Sequence, residues 1–427
     1  MKQTIRGRVS CLAFLVLPGF GLGFPLAGCA EHEDGVTGTQ SIGVELVSPA
    51  SPGDLQHRLP DGLRAITINL TALDAAGNVD PSFDRDVEVY AQFLGTVTPT
   101  PTLSDFMLVA EDRVAVPLTK AHLTAGQAMN QIVTLPAVLG PTTLWIEDGP
   151  KPFRGTRDID PAYVPTYATG TSPTLWFRDP TIADLQTPSS ETALDALLAS
   201  PFDNKQVTVD TSRYGDVGRL VVTSVFAQGY TVSDVQCSDA SGAPPCTTQA
   251  YDHIEVFSFS APRDQRGKLI QQGQVIDGFS GAMTDFNGLT EIGFPVTFAS
   301  DDAVVPGRLP VPVTFDKDTW FKALTDPQGI INFERNEAAP IVVDNATVCN
   351  LDNDYVRFNQ WKLDPFGVGG DCATNRNVIN VVTAGVVGGL DPATLVGKTL
   401  PRVVGVLRPA FSIWIIFPRS AADLTLQ

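Results

Sequence analysis

Glycine and proline punctuate this chain from end to end, with 37 Gly and 33 Pro among 427 residues and no regular period. A backbone broken so often cannot sustain long helices, and without a three-residue repeat it cannot be collagen. Short strands joined by turns remain. The runs between the breakers have the matching period. Ile66, Ile68 and Leu70 alternate with Thr67, Asn69 and Thr71, as a half-buried strand requires, and Asp74-Ala75-Ala76-Gly77-Asn78 supplies the turn after it. Val87, Val89 and Ala91 continue the alternation, and further strands are expected over 113–118, 131–135 and 143–147. A β-sandwich over 43–150 follows from strands at this spacing.

Length and charge narrow the class. A chain of this size has room for two or three domains. With 43% hydrophobic and only 18% charged residues it can fill real cores, which excludes a solvated disordered chain. Asp and Glu number 47 against 29 Lys and Arg, a formal charge of -18. Nucleic acid is therefore disfavoured as a partner, because its binding draws most affinity from cations that neutralise phosphates.

The N-terminus has the make-up of an export signal. Lys2, Arg6 and Arg8 precede an apolar stretch from Cys11 to Ala27, too short and too broken by Gly and Pro for a stable membrane span. It ends Leu26-Ala27-Gly28-Cys29, which resembles the bacterial lipobox. That resemblance implies removal of residues 1–28 and acylation of Cys29 with diacylglyceryl and palmitate-type chains. Each buried CH2 contributes about 0.8 kcal/mol, so two or three chains hold a protein on a bilayer nearly permanently. The chain beyond the signal carries -21, since the signal takes three basic residues and no acid. Ala30, where an Asp would favour the inner membrane, points to the outer membrane, and 29–42 reads as a tether.

Cysteine usage fits an oxidising compartment. Cys237, Cys246, Cys349 and Cys372 remain beside Cys11 and Cys29, an even number in an exported chain. Proximity favours Cys237 with Cys246 and Cys349 with Cys372 among three possible pairings. Neither pair has the spacing of zinc knuckles.

The run IleThrIleAsnLeuThrAlaLeuAspAlaAlaGlyAsnValAsp from Ile66 to Asp80, with Gly140 to Asp148 at the far end, resembles bacterial immunoglobulin-like repeats. Such modules act as spacers or adhesive units. Asp74, Asn78 and Asp80 could hold calcium, but their spacing is not that of an EF-hand, and a turn asks for the same residues. Residues 151–205, rich in Pro, Thr and Asp, read as an extended linker with a short helical patch near 190–198.

Five strands interrupted by Gly are expected over 206–300, which suits a small Greek-key barrel. The phrases Gly218 to Asp234, Gly273 to Phe279 and Asp285 to Ile292 resemble the OB-fold domain that precedes the catalytic domain of bacterial extracellular nucleases. Phe333 to Val343, with two glutamates, is similar to the phrase that follows there, with Ala338 in place of the usual Gly. After a connecting segment, 301–339, a second OB-like domain is expected over 340–427, on strands at 341–348, 378–383, 402–407 and 412–417. The fold class is thus mainly β: lipidated tether, Ig-like sandwich, then one or two OB-like barrels. The large metal-dependent domain that does the chemistry in those nucleases has no counterpart in this sequence.

Catalytic patterns are sparse. His32, His57, His122 and His253 lie far apart and read as surface or turn residues, with no metal-ligand spacing. Ser280 stands in Gly-Phe-Ser-Gly, which lacks the nucleophile-elbow pattern. Glu334 and Glu337 could suggest an acid/base pair but read as structural. Neither a Walker loop nor a Gly-x-Gly-x-x-Gly phrase occurs. Tyr230, Phe257 and Phe259 are the candidate ligand face, as a stacking platform on the barrel. Arg263, Arg266 and Lys268 form the one basic cluster near it. The expected function is a non-catalytic envelope lipoprotein without cofactor or metal, membrane-bound through its lipid, with a protein or glycan partner. The alternative is an OB-fold nucleic-acid or nucleotide binder.

Overall fold

The computed structural model describes residues 38–93, 117–135, 138–148, 168–188, 190–192, 200, 202–203, 205–321, 327–384, 387–410 and 413–425. Cys29 and the tether up to 37 lie outside them, as do 113–116 of one expected strand and most of the expected helical patch. The described fold is mainly β, in three sheets.

The first sheet contains β1 (Ser41–Ser48), β2 (Ala65–Leu73), β3 (Arg85–Phe93), β4 (Thr119–Leu123), β5 (Gln127–Thr134), β6 (Pro141–Glu147), β7 (Thr169–Thr171) and β8 (Leu175–Trp176). Their order is β4-β3-β6-β7-β1-β2-β5, with β8 on β6. Antiparallel pairing gives a four-stranded half, β4-β3-β6-β7, and a three-stranded half, β1-β2-β5, joined by a parallel bridge between Ser41 and Thr169. Both halves turn apolar side chains to one core: Ile66, Ile68, Leu70 and Ala72 from β2, Val87 and Val89 from β3, Leu144 and Ile146 from β6. This is sandwich packing. At the seam only glycine fits, because a Cβ on Gly170 would lie 2.0 Å from the Ile42 carbonyl oxygen. Strands β7 and β8 fall inside the segment 151–205 that reads as a linker, which supplies the closing strand of this module as well as a helix.

The second sheet contains β9 (Gln206–Val209), β10 (Gly218–Phe226), β11 (Gly229–Gln236), β12 (His253–Phe257), β13 (Val275–Ile276), β14 (Gly278–Phe286) and β15 (Leu289–Phe298). The order β13-β10-β11-β12-β15-β14-β9, with β12 and β15 parallel, makes a half-barrel. The helix Ile182–Gln186 packs on it, burying Ile182 and Leu185 with Tyr230, Val232 and Ile254. A capping box between Thr181 and Asp184 starts that helix.

The third sheet contains β16 (Val313–Thr314), β17 (Pro340–Val348), β18 (Gln360–Asp364), β19 (Ile379–Val382), β20 (Thr399–Ala410), β21 (Ile413–Phe417) and β22 (Leu424–Thr425). Pairing runs β17-β18-β19-β21-β20 and returns to β17, so the sheet closes. Numbered along the barrel, the order is 1-2-3-5-4-1 with strands three and five parallel, a Greek-key closure. Trp361 fills its centre, and its indole N–H donates to Thr383 Oγ1 at 3.2 Å. β18 is not among the expected strands, because Gln360-Trp-Lys-Leu-Asp364 alternates polar and apolar over too few residues to stand out.

Both expected disulfides form. Cys237 and Cys246 have Cα atoms 4.0 Å apart, and Cys349 and Cys372 5.8 Å apart. The second closes a loop of 23 residues between β17 and the segment after β18. Cys349→Ala with Cys372→Ala is expected to cost about 3 kcal/mol in a urea melt, since the unfolded chain regains that loop's freedom. A loss under about 1 kcal/mol would refute this.

The carboxylates of Asp74 and Asp80, two of the three residues that could hold calcium, accept hydrogen bonds from the chain itself. Asp74 Oδ1 accepts from the backbone N–H of Ala76 and Asn78, and Asp80 accepts from Thr39, Ser82 N–H and Ser82 Oγ.

Candidate functional site

Strand β12 sends Ile254 and Val256 into the core of the half-barrel and Phe257 to the opposite side. Phe257 stands between two glycines, Gly229 on β11 and Gly293 on β15. Its ring meets Phe259 edge-on at 4.6 Å, and Phe259 meets Phe294 at 5.1 Å. Phe259 is 57% exposed and Phe294 77%. Three rings therefore form one surface platform.

The backbone beneath them is strained. Phe259 has φ +56° and Phe294 φ +51°, the left-handed region, which costs a residue with a Cβ about 1–2 kcal/mol. Phe294 owes its conformation to a bulge: Ala282 pairs with Gly293 and Ser280 with Val296, so Gly281 alone opposes Phe294 and Pro295. Glycine is the usual residue for a left-handed bulge position. Gly281 is fixed in turn, because a Cβ there would lie 2.4 Å from Ile292 Cγ2 and 2.7 Å from the Gly293 carbonyl oxygen.

Tyr230 does not belong to this face. It is fully buried in the half-barrel core, with its hydroxyl 2.8 Å from Thr297 Oγ1, and burial raises its phenol well above the ordinary range. Along β11 the alternation is legible, but both faces are covered, so the pattern does not say which set turns inward. Phe294 escapes a sequence reading because Ile292-Gly-Phe-Pro-Val296 looks like a continuous apolar run; Pro295 after Gly293 is the one hint of a bulge.

The two glutamates are interior groups. Glu337 is 3% exposed and accepts from the Thr290 backbone N–H at 2.8 Å, and Glu334 lies beside it at the end of the helix Ile331–Glu334. Burial raises both carboxyls, repulsion from Asp285 raises them further, and Glu334 adds its own repulsion at Glu337. Glu337 ties the connecting segment to β15, whereas Glu334 Oε1 is buried with no hydrogen-bond partner among the described residues.

His57 is exposed against Asp54, and His122 is exposed between Asp84 and Asp86, whose hydrogen bonds raise its imidazole above the ordinary value. His253 corrects the expectation of surface histidines. It is completely buried, its Nδ1 lies 2.6 Å from Ser233 Oγ, and burial pushes its pKa down to about 3, so the ring is neutral. His32 is outside the described residues. Ser280 lies within β14, not at a strand-to-helix turn.

A cleft of about 310 Å³ between the first two sheets is lined by Arg58, Trp176, Asp179, Phe202, Lys205 and Asp210, among others. Its cations already have partners. Arg58 pairs with Asp179 at 2.8 Å and lies over Trp176, and the Lys205 ammonium lies over Phe202. The phenylalanine platform, by contrast, presents its rings outward.

No protein-family model matches this sequence. No curated protein is significantly similar to it.

Proposed function

We propose that this chain is a non-catalytic envelope lipoprotein, a binding or accessory module anchored to the outer membrane through Cys29, with a protein or glycan partner. The observation that carries the binding role is the pair Phe259 and Phe294, exposed, adjacent and both left-handed. A fold keeps such strain where the surrounding structure over-determines it, and those places cluster at functional sites. The two disulfides support an exported address, because thiols stay reduced in the cytosol. The Leu26-Ala27-Gly28-Cys29 phrase supports the anchor.

Mass spectrometry of the membrane fraction is expected to find a lipid adduct on Cys29 and no peptide from 1–28. Cys29→Ala is expected to release the protein or stall its processing. An unmodified N-terminus elsewhere would end the anchoring idea.

The strand order of the third sheet favours a second reading, an OB-type nucleic-acid binder. The acidic total opposes it. Titration with single-stranded and duplex DNA at about 0.15 M salt is expected to show nothing tighter than the non-specific range of about 10⁻⁴ to 10⁻⁶ M. Sub-micromolar binding that weakens steeply with salt would promote this second reading.

A further inference from the structure

We infer that the Phe257, Phe259 and Phe294 platform, with Arg263 beside it, is a binding site for a carboxylated glycan, a pyranose ring bearing a uronic-type acid. The inference rests on the binding role proposed above and names its ligand class.

Arg263 follows Phe259 by four residues, on a loop tied to the platform strand. Asp264 bridges Thr297 of β15, and the Gln265 N–H donates to the Thr297 carbonyl oxygen at 2.8 Å. Thr297 is three residues beyond Phe294, roughly 10 Å along a strand. The other two cations of this loop are neutralised: Arg266 pairs with Asp264 and Asp302, and Lys268 with Asp302. Arg263 donates Nη1 to the Gly267 carbonyl oxygen, and among the described residues its guanidinium pairs with no carboxylate. On a chain of formal charge -18, an exposed guanidinium without a carboxylate invites a ligand that brings one. Exposed Val296 follows Phe294 by two and precedes Thr297, which Asp264 bridges, so the strand edge between the rings and Arg263 carries an apolar side chain.

Shape selects the ligand class. A protein hot spot fills a pocket from which water is excluded. Rings 57% and 77% exposed make no such pocket. A sugar ring needs less: its apolar C–H face lies flat on an aromatic face while its hydroxyl edges stay in water. A nucleic-acid strand would also stack, but it brings a phosphate with every base, and one guanidinium against an acidic protein gives little return for that charge density.

The test uses the full chain in detergent on an array of neutral and uronic-acid-bearing glycans, with single-stranded DNA as competitor. Retention is expected on carboxylated glycans. Arg263→Ala is expected to abolish the preference for acid over the methyl ester of the same glycan. Phe259→Gly and Phe294→Gly are expected to lower binding at least tenfold while raising the thermal midpoint, because glycine relieves the left-handed backbone. Loss of binding with a higher midpoint excludes misfolding as the cause. An array on which no carboxylated glycan is retained overturns the inference, as does retention that survives both phenylalanine variants or yields to DNA. A blank array with lipid on Cys29 leaves the envelope anchor standing, whereas Cys29 without lipid removes that anchor whatever the array shows.

Discussion

Thermal stability is expected to be highest at about pH 5 and to fall steadily towards pH 8. Eight buried or half-buried carboxyls among the described residues, Asp179, Asp234, Asp252, Glu255, Asp285, Glu291, Glu334 and Glu337, have their protons held more tightly in the fold than in the unfolded chain. Burial pushes Glu255 up to about 7, with Glu291 adding repulsion, and pushes Asp234 up to about 6. Glu334 and Glu337 are raised by burial and by the repulsion of Asp285, and burial raises Asp285 itself. Above its ordinary value of 4.5, an unfolded glutamate has already lost its proton while the folded one keeps it. Unfolding therefore releases protons across this window, and raising the pH draws the equilibrium towards the unfolded state. A carboxyl that titrates near 7 rather than near 4.5 costs the fold on the order of 3 kcal/mol between those limits. Carboxylates lowered by hydrogen bonds, such as Asp74 and Asp80, act in the opposite sense below about pH 4, and buried His253, held down at about 3 against its ordinary 6.5, acts in the opposite sense up to about pH 6.5 and offsets one of the raised carboxyls there. Glu334→Gln with Glu337→Gln removes two titrations, and the amide carbonyl introduced at the second position still accepts from the Thr290 N–H. That variant is expected to melt higher than the parent at pH 8 and to flatten the profile. A parent midpoint that rises between pH 5 and pH 8 would refute the argument, as would a variant with an unchanged slope.

The strands are legible wherever one face is wet. Ile66, Ile68 and Leu70 are completely buried and alternate with half-buried partners, as their spacing demands. Cysteine proximity is enough for both disulfides, because each pair closes a short loop between neighbouring elements. The half-barrel is harder. In β11 seven of eight residues are buried, so alternation marks two sets without saying which faces the core, and the expected ligand face takes in Tyr230 from the wrong one. His253 misleads for a related reason: it lies on a strand buried on both faces, where Ser233 partners its Nδ1 and its Nε2 has no hydrogen-bond partner among the described residues, and nothing local to it in the sequence marks that burial. The short strands β7 and β8 have too few residues to show a period, and a Pro- and Thr-rich context disguises them as linker. Phe294 depends on a bulge register, which is set by the partner strand and by Gly281. Long-range pairing decides such positions, and a local pattern cannot carry it.

Arg408→Ala is expected to destabilise the protein by about 3–5 kcal/mol at pH 8 and by clearly less at pH 5. Arg408 lies on β20 of the closed barrel, and its Nη2 donates to Glu255 Oε1 of the half-barrel at 2.6 Å. Its guanidinium also lies 5.0 Å from the ring centres of Phe226 and Phe417, so one side chain ties the two barrels by charge and by stacking. Glu255 is completely buried and pairs in the parallel ladder with Glu291. Without the cation, two neighbouring carboxyls face each other at the junction, and at pH 8 Glu255 must either hold an uncompensated charge or take up a proton against the gradient. At pH 5 it is already protonated, so the variant loses mainly the stacking contacts. Glu255→Gln should restore most of the stability of Arg408→Ala at pH 8, because it removes the charge that the arginine answered. A double-mutant cycle from urea melts at both pH values reads the coupling directly. Equal costs at pH 5 and pH 8, or no restoration by Glu255→Gln, would show that Arg408 holds the barrels together through its contacts with Phe226 and Phe417 and not through its charge.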